Sequence, residues 1–249
     1  MEIRKDILER FLRYVQIDTG SDEAAADKAP STDRQLDLLN MLRGELQDLG
    51  LDEVTLNKGG VLTGLLPGNT DAPMIAFIAH VDTYPGTANE GVKPIVHEAY
   101  PGGDIPLPGA PGDAISFANN PGLAAYQGKT LITSDGSTLL GADDKAGVAE
   151  IMTALRVLTE NPDRPHGPLK IAFTPDEEIG RGTENFPALD TFGAVCAYTV
   201  DGGPAGEVEN ETFCADTAIV TIKGKDVHPG FAKGKMVNAV RAAAHLISL

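Results

Sequence analysis

Four apolar segments of this sequence each end in a histidine or in carboxylates. The polar groups after MIAFIA, TLLGA, LKIAFTP and AVCAYTV are, in order, His80-Val81-Asp82, Asp143-Asp144, Asp176-Glu177-Glu178 and Asp201-Gly202-Gly203. Because ligands of open α/β sheets bind beyond the carboxyl ends of the strands, we expect these side chains to meet in one crevice. Imidazole combined with several carboxylates suits zinc or a similar divalent ion. There are more carboxylates than one ion needs, which indicates two ions that share a bridge and activate a water.

Taken alone, each group has a simpler structural explanation. A histidine at a strand end, such as His80, is often structural, and Glu177-Glu178 could be a solvated pair in a turn. Asp143-Asp144 would be favourable at a helix N-terminus, where acids interact with the helix dipole. The occurrence of all these groups at successive strand ends favours the metal site. Asp82 adds to this, because strand residues i and i+2 point the same way and a carboxylate there can hold the second nitrogen of His80.

Hydrophobic periodicity predicts the elements that would position these groups. Residues 3–17 have apolar positions at helical spacing, and a second helix is predicted near Thr32, with Thr32 and Gln35 as a capping box and Gly50 as its end. Further predictions are strands at 53–57, 61–67 and 74–82, a loop with little structure at 97–122, a hairpin at 131–142, a helix at 144–161 and strands at 168–175 and 194–201. The last two are short apolar runs that suit central strands covered on both faces, which would bury Cys196. This order predicts an α/β fold with a doubly wound mixed sheet.

The sequence pattern changes after residue 205. Residues 213–225 alternate between apolar and polar side chains, as in a strand with one exposed face, and a helix is predicted at 236–249. We therefore predict a catalytic domain at 1–207 and the start of a smaller α+β domain at 208–249.

Composition restricts the class of protein. The 249 residues carry a net charge of −16, which argues against nucleic acids and anionic membranes as partners. No apolar run reaches the roughly 18 residues that a transmembrane helix needs, and the charged N-terminus lacks the hydrophobic region of a signal peptide. Two cysteines, Cys196 and Cys214, are too few for a disulfide framework. These features favour a globular protein of the cytoplasm.

Together the motifs resemble those of the co-catalytic dinuclear zinc exopeptidases, a family that includes carboxypeptidase G and acetylornithine deacetylase. The matching segments are His80-Val81-Asp82-Thr83, Gly141–Gly147, Thr174–Gly180 and Val200–Gly203. The segments Ile132–Gly136, Val227–Gly230 and Ala232–Ala239 are closest to the branch of this family that acts on tripeptides. The resemblance covers the whole chain. It implies that 208–249 begins a lid and dimerisation domain, through which the complete protein would form a homodimer.

The resemblance also implies which residues bind two zinc ions. Asp143 would bridge both ions, and His80 and Asp201 would complete the first site. Glu178 would be the carboxylate of the second site. The peptide bond between Asp143 and Asp144 is expected to be cis.

Three further residues receive roles from the resemblance. Asp82 would orient the first histidine ligand, Glu177 would be the general base, and His228 would bind substrate across the dimer interface, far from the metals of its own chain. The second zinc site of the family needs another histidine, and none of the remaining histidines lies in a matching motif; these are His97, His166, His228 and His245. We therefore expect the complete protein to continue past Leu249, and the 249-residue chain to bind about one zinc tightly without peptidase activity.

The function that follows from the resemblance is a zinc-dependent aminopeptidase that releases the N-terminal residue of short peptides, chiefly tripeptides, by attack of an activated water. Several alternatives stay open. One is a related metal-dependent deacylase or carboxypeptidase, and another is an inactive chain that binds one metal. A nucleotide-binding α/β domain is suggested by the glycines near 136–147, but these form no Walker or dinucleotide pattern.

Overall fold

The computed structural model describes residues 3–25, 27–211, 214–216 and 218–248. The chain divides into two compact units, Met1–Ala205 and Gly206–Leu249. None of the described helices is long and apolar enough to cross a bilayer.

A five-stranded mixed sheet is the centre of the first unit. Its strands are β1 (Asp52–Leu56), β2 (Leu62–Leu66), β3 (Ile75–His80), β8 (Leu169–Thr174) and β9 (Cys196–Thr199), in the spatial order β1-β2-β8-β3-β9. The first two pairings, β1 with β2 and β2 with β8, are antiparallel. Strand β3 runs parallel to both of its neighbours. The three strands β8, β3 and β9 therefore end at the same edge, as the sequence predicted for an α/β sheet.

Helices cover this sheet and form the core with it. They are α1 (Ile3–Val15), α2 (Gln35–Asp48), α3 (Ala142–Glu160) and the short α4 (Leu189–Phe192). Leu38, Leu42 and Leu46 recur at helical spacing on α2 and are fully buried. All six residues of β8 are buried, which confirms that this apolar run is a central strand.

The polypeptide between β3 and α3 contains two small sheets. Strand β4 (Ile95–His97) pairs with β7 (Leu131–Thr133), and β5 (Ile105–Pro106) pairs with β6 (Ala114–Ile115). The hairpin predicted at 131–142 is therefore wrong, because β7 takes a distant partner. The predicted loop at 97–122 also contains short strands, with a 3-10 helix starting at Pro121.

Strand β9 differs from its prediction. It lies at the edge of the sheet, and all four of its side chains are exposed, including the Cys196 thiol that was expected to be buried. The capping box is also wrong, because Thr32 donates its hydroxyl hydrogen to the carbonyl of Gly20 instead of capping α2. Gly50 follows the end of α2 with a positive φ, as expected for a helix stop.

The second unit contains the helix α5 (Ala239–Ile247), which confirms most of the helix predicted at 236–249. Asn238 caps it by accepting a hydrogen bond from the N–H of Arg241. The strand predicted at 213–225 includes Phe213 and Thr217, which lie outside the described residues. In the described part of that stretch, only Lys225 forms a β-bridge, with Val237.

Candidate metal centre

His80 is the last residue of β3 and is almost completely buried, with 3% of its side chain exposed. It lies opposite Thr174, the last residue of β8, so the Asp176-Glu177-Glu178 segment leaves the sheet beside it. On the other side, the N–H of Val200 donates to the carbonyl of Ile78 and delivers Asp201 to the same edge. Parallel strand ends therefore bring three of the predicted groups together.

The Nε2 atom of His80 faces three carboxylates. It lies 2.9 Å from Oδ1 of Asp143, 3.7 Å from Oδ2 of Asp201 and 3.8 Å from Oε2 of Glu177. The imidazole nitrogen and the carboxylates thus converge on one small volume at the edge of the sheet.

Asp82 connects His80 to the segment Asp176-Glu177-Glu178, which we call the glutamate turn. Its side chain is fully buried, and Nδ1 of His80 lies 3.1 Å from its carbonyl oxygen and 3.3 Å from its Oδ1. The same carboxylate accepts hydrogen bonds from the backbone N–H groups of Glu177 at 2.9 Å and Glu178 at 3.2 Å. One buried aspartate therefore fixes the ring of His80 and the position of both glutamates.

The Asp143-Asp144 peptide bond is cis, as expected from the family resemblance. Both residues have non-helical backbone angles, so the regular part of α3 begins after them. The buried carboxylate of Asp144 accepts a hydrogen bond from the N–H of His80 at 3.0 Å. A Cβ atom at Gly147 would overlap the Val200 carbonyl oxygen and the Asp144 carboxylate, so this approach of α3 to the end of β9 requires glycine.

The possible ligand atoms fall into two overlapping groups. His80, Asp143 and Glu178 form one group, and His80, Glu177 and Asp201 form the other; within each group the ligand atoms lie within 4.8 Å of one another. All five side chains are metal-ligand types that the sequence singled out. The grouping differs from the expected ligand sets in three ways. His80, not Asp143, is common to both groups; Asp143 and Asp201 fall in different groups; and Glu177 joins His80 and Asp201.

Three further histidines and Asp144 make contacts of their own. His97 contacts the Thr133 hydroxyl at 3.0 Å, and His166 lies 2.9 Å from the carbonyl of Gly167. His228 belongs to the second unit, where its Nδ1 accepts a hydrogen bond from the N–H of Gly230. The motif that contains Asp144 did not predict a role for it, because its partner, the backbone N–H of His80, is distant in the sequence.

The crowded carboxylates change the acid–base properties of the centre. Burial raises the pKa of Asp144 to about 8, and burial together with Asp143 raises the pKa of Glu178. Burial also raises the pKa of Asp201 to about 6, reinforced by Asp143 and opposed by His80. For His80, burial lowers the pKa, but Asp82, Asp144 and Asp201 outweigh it and raise the value to about 10.

These shifts show that the centre favours positive charge. The pKa values of Asp144, Glu178 and Asp201 are raised first by burial and then by repulsion from neighbouring carboxylates. A divalent cation would relieve that repulsion, and an imidazole with several carboxylates is a donor set that zinc accepts. The residues therefore fit a divalent metal ion.

Sequence comparison shows which proteins this chain is similar to. Residues 130–247 match the peptidase family M20/M25/M40. The chain is 51% identical to peptidase T of Geobacillus thermodenitrificans (strain NG80-2) over 243 residues, or 97% of its own length. It is a homologue of peptidase T, with 49% identity to the enzyme of Bacillus subtilis (strain 168) over 249 residues. The chain spans 59% and 60% of the lengths of these two relatives.

Two solved peptidase structures share the fold. Aminopeptidase PepT of Bacillus cereus superposes with a TM-score of 0.60 at 27% identity, covering 98% of this chain and 56% of the other. A tripeptidase of Staphylococcus aureus gives a TM-score of 0.62 at 23% identity, with the same coverage. The mixed sheet with its helices is thus a fold shared with these two peptidases.

Proposed function

We propose that the full-length protein is a metallo-aminopeptidase that releases the N-terminal residue of tripeptides. The observation that carries this proposal is the convergence of His80, Asp143, Glu177, Glu178 and Asp201 at one sheet edge, in two groups of ligand atoms. The homology to peptidase T supports the choice of a peptide substrate.

The proposed cofactor is a pair of zinc ions. His80, Asp143 and Asp201 would hold one ion, and Asp143 and Glu178 would contribute to the second. Bound ions would lower the pKa of a water toward about 7 and polarise the peptide carbonyl. Three protein ligands match the usual number at a catalytic zinc site, which keeps a position open.

Glu177 is the proposed general base. About half of its side chain is exposed, so it borders the crevice and can meet both substrate and solvent. It would accept a proton from the attacking water and donate it to the leaving amine as the peptide C–N bond breaks. The Asp82 carboxylate accepts a hydrogen bond from the Glu177 N–H and contacts the His80 ring. It would therefore keep the general base and the metal ligand at a constant distance during this transfer.

Several features of the proposal extend beyond this site. The tripeptide preference and the free N-terminus of the substrate follow the activity of the homologous proteins. The proposed cytoplasmic location rests on the sequence, whose two cysteines are too few for a disulfide framework. His228 is proposed to reach the substrate of a second subunit through a homodimer built by the lid domain, which we place at 208–249.

A substrate panel tests the reaction class. The full-length protein, loaded with zinc, would be incubated with a tripeptide, its N-acetylated form, the matching dipeptide and an N-acetylated amino acid. We expect one free amino acid and one dipeptide from the unblocked tripeptide, and little reaction with the others. Preferential hydrolysis of the acetylated amino acid would instead show a deacylase. A Glu177→Gln variant controls for contaminating peptidases.

A further inference from the structure

Asp176 precedes the two site glutamates and adopts an unusual backbone conformation. Its φ of +60° and ψ of +25° place it in the left-handed region, which a residue with a Cβ atom adopts only when its surroundings impose it. This conformation turns the chain sharply at the end of β8. The next two residues then direct their N–H groups to the carboxylate of Asp82.

Gln35 and Ser31 hold Asp176 in this conformation. The Gln35 side chain makes a reciprocal pair with it: its Nε2 donates to Oδ1 of Asp176 at 2.7 Å, and its Oε1 accepts from the Asp176 N–H at 3.1 Å. Ser31 donates twice, from its N–H to Oδ2 of Asp176 at 2.7 Å and from its hydroxyl to Oδ1. All three side chains are buried.

The three residues form what we name the Gln35 network, consisting of Ser31, Gln35 and Asp176. Asp82 holds the glutamate turn on the side of the metal centre, and the Gln35 network holds it on the side of α2. A turn fixed at both ends has little freedom to change where Glu177 and Glu178 point.

We infer that Ser31 and Gln35 are positioning residues of the metal centre, which act through the backbone of Asp176. This inference rests on the proposed function. Neither residue belongs to the ligand groups. They would therefore act only by setting the orientation of Glu178 toward a metal ion and of Glu177 toward the reacting water. Residues that support metal ligands in this way typically change metal affinity or activity about 10–100-fold when mutated.

The principal test replaces Gln35 by methionine, which is similar in volume and leaves the Asp176 N–H without its acceptor. In the full-length protein, Co²⁺ titration followed by visible absorption would report metal affinity without any need for turnover. For Gln35→Met we expect the affinity for the more weakly held ion to fall about tenfold or more, and kcat on a tripeptide to fall about 10–100-fold with a much smaller change in KM.

A matched control separates positioning from general stability. Thr153 is also buried and donates a hydrogen bond of 2.9 Å to Asp6, in a cluster that shares no residue with the metal centre. Thr153→Val should lower the melting temperature while leaving Co²⁺ affinity and kcat at wild-type values. Should Gln35→Met prove too unstable to purify, Ser31→Ala is read in the same way. It removes a hydroxyl that donates to Asp176 and accepts from Gln35 and from the N–H of Asp22.

Substitution of Asp176 itself tests the role of its backbone. Glycine adopts the left-handed conformation without penalty, whereas alanine does not. Asp176→Gly should therefore retain clearly higher Co²⁺ affinity and kcat than Asp176→Ala. The inference is overturned if Gln35→Met and Ser31→Ala behave like Thr153→Val, losing only thermal stability. Failure of the proposed function has a different outcome, namely a wild-type protein that binds Co²⁺ but leaves the tripeptide intact.

Discussion

The buried carboxylate of Asp144 accepts a hydrogen bond from the backbone N–H of His80, with 3.0 Å between the two heavy atoms. Its neighbour Asp143 lies 2.9 Å from the ring of the same histidine. Adjacent aspartates thus hold one histidine in two different ways, one through its backbone and one through its ring. These two contacts join the start of α3 to the end of β3 at the metal centre.

Substitution of Asp144 tests this relationship. Asp144→Asn keeps an oxygen acceptor for the His80 N–H, whereas Asp144→Ala removes it. Leaving a buried N–H without a partner costs about 1–3 kcal/mol, so the alanine variant should be less stable than the asparagine variant by about that amount. Urea unfolding of the metal-free proteins measures the difference. Equal stability of the two variants would show that the hydrogen bond contributes nothing.

Gly147 provides a prediction about close packing. Its replacement by alanine would force a Cβ atom into the Val200 carbonyl oxygen and the Asp144 carboxylate, and such overpacking typically costs about 1–3 kcal/mol. Because Asp201 follows Val200, we also expect weaker metal binding in Gly147→Ala. Gly44→Ala is the matched control, since it lies within α2 with open space around it and should stabilise by up to about 1 kcal/mol. A Gly147→Ala protein with wild-type stability would contradict the packing argument.

The two glutamates should separate catalysis from metal binding. Glu177→Ala should reduce turnover about 10²–10⁴-fold, the usual contribution of a general base, with metal content nearly unchanged. Glu178→Ala should lose metal. Metal analysis of the dialysed full-length variants, beside tripeptide assays, reports both quantities. Loss of metal in Glu177→Ala with retention in Glu178→Ala would mean that the two roles are reversed.

A buried ion cluster between α1 and α3 predicts how stability depends on pH. Asp6 receives contacts from Thr153 at 2.9 Å, Arg10 at 3.0 Å and Arg156 at 3.1 Å. Burial raises the pKa of Asp6, but these partners together outweigh it and hold the pKa below its ordinary value of 3.8. A lowered folded-state pKa means that the stabilisation is fully present above pH 3.8 and is lost as the pH falls through the folded value.

Asp6→Asn removes this charge from its two arginines. Breaking a buried pair typically costs about 3–5 kcal/mol, so the variant should be less stable by about this amount at pH 7. The difference between variant and wild type should shrink as the pH falls below 3.8, because the wild-type carboxyl then becomes neutral as well. Urea unfolding across this range provides the measurement. A difference that is independent of pH would exclude the charge as its cause.

Local sequence patterns were sufficient where one segment determines its own environment. The buried run of β8, the spacing of α1 and α2 and the strand-end positions of His80, Asp176 and Asp201 were read correctly, because periodicity and strand direction decide them. The prediction that Asp143 and Asp144 also follow a strand was wrong, because they lie at the start of α3. Local patterns failed where a residue's hydrogen-bond or packing partner is distant in the chain. The Thr32-Gln35 spacing resembles a helix cap, yet Gln35 binds Asp176, which no local rule could show. The exposure of β9 likewise depends on its edge position in the sheet.

The central claim is that the His80 and carboxylate cluster binds the metal ions on which tripeptide cleavage depends. The most direct measurement is a calorimetric zinc titration of the metal-free full-length protein, with tripeptide cleavage assayed after each addition, for wild type and His80→Ala. We predict two equivalents for wild type, activity that rises only as they bind, and loss of both tight binding and cleavage in His80→Ala. Full cleavage by the metal-free wild type, or unchanged zinc binding by His80→Ala, would contradict the account.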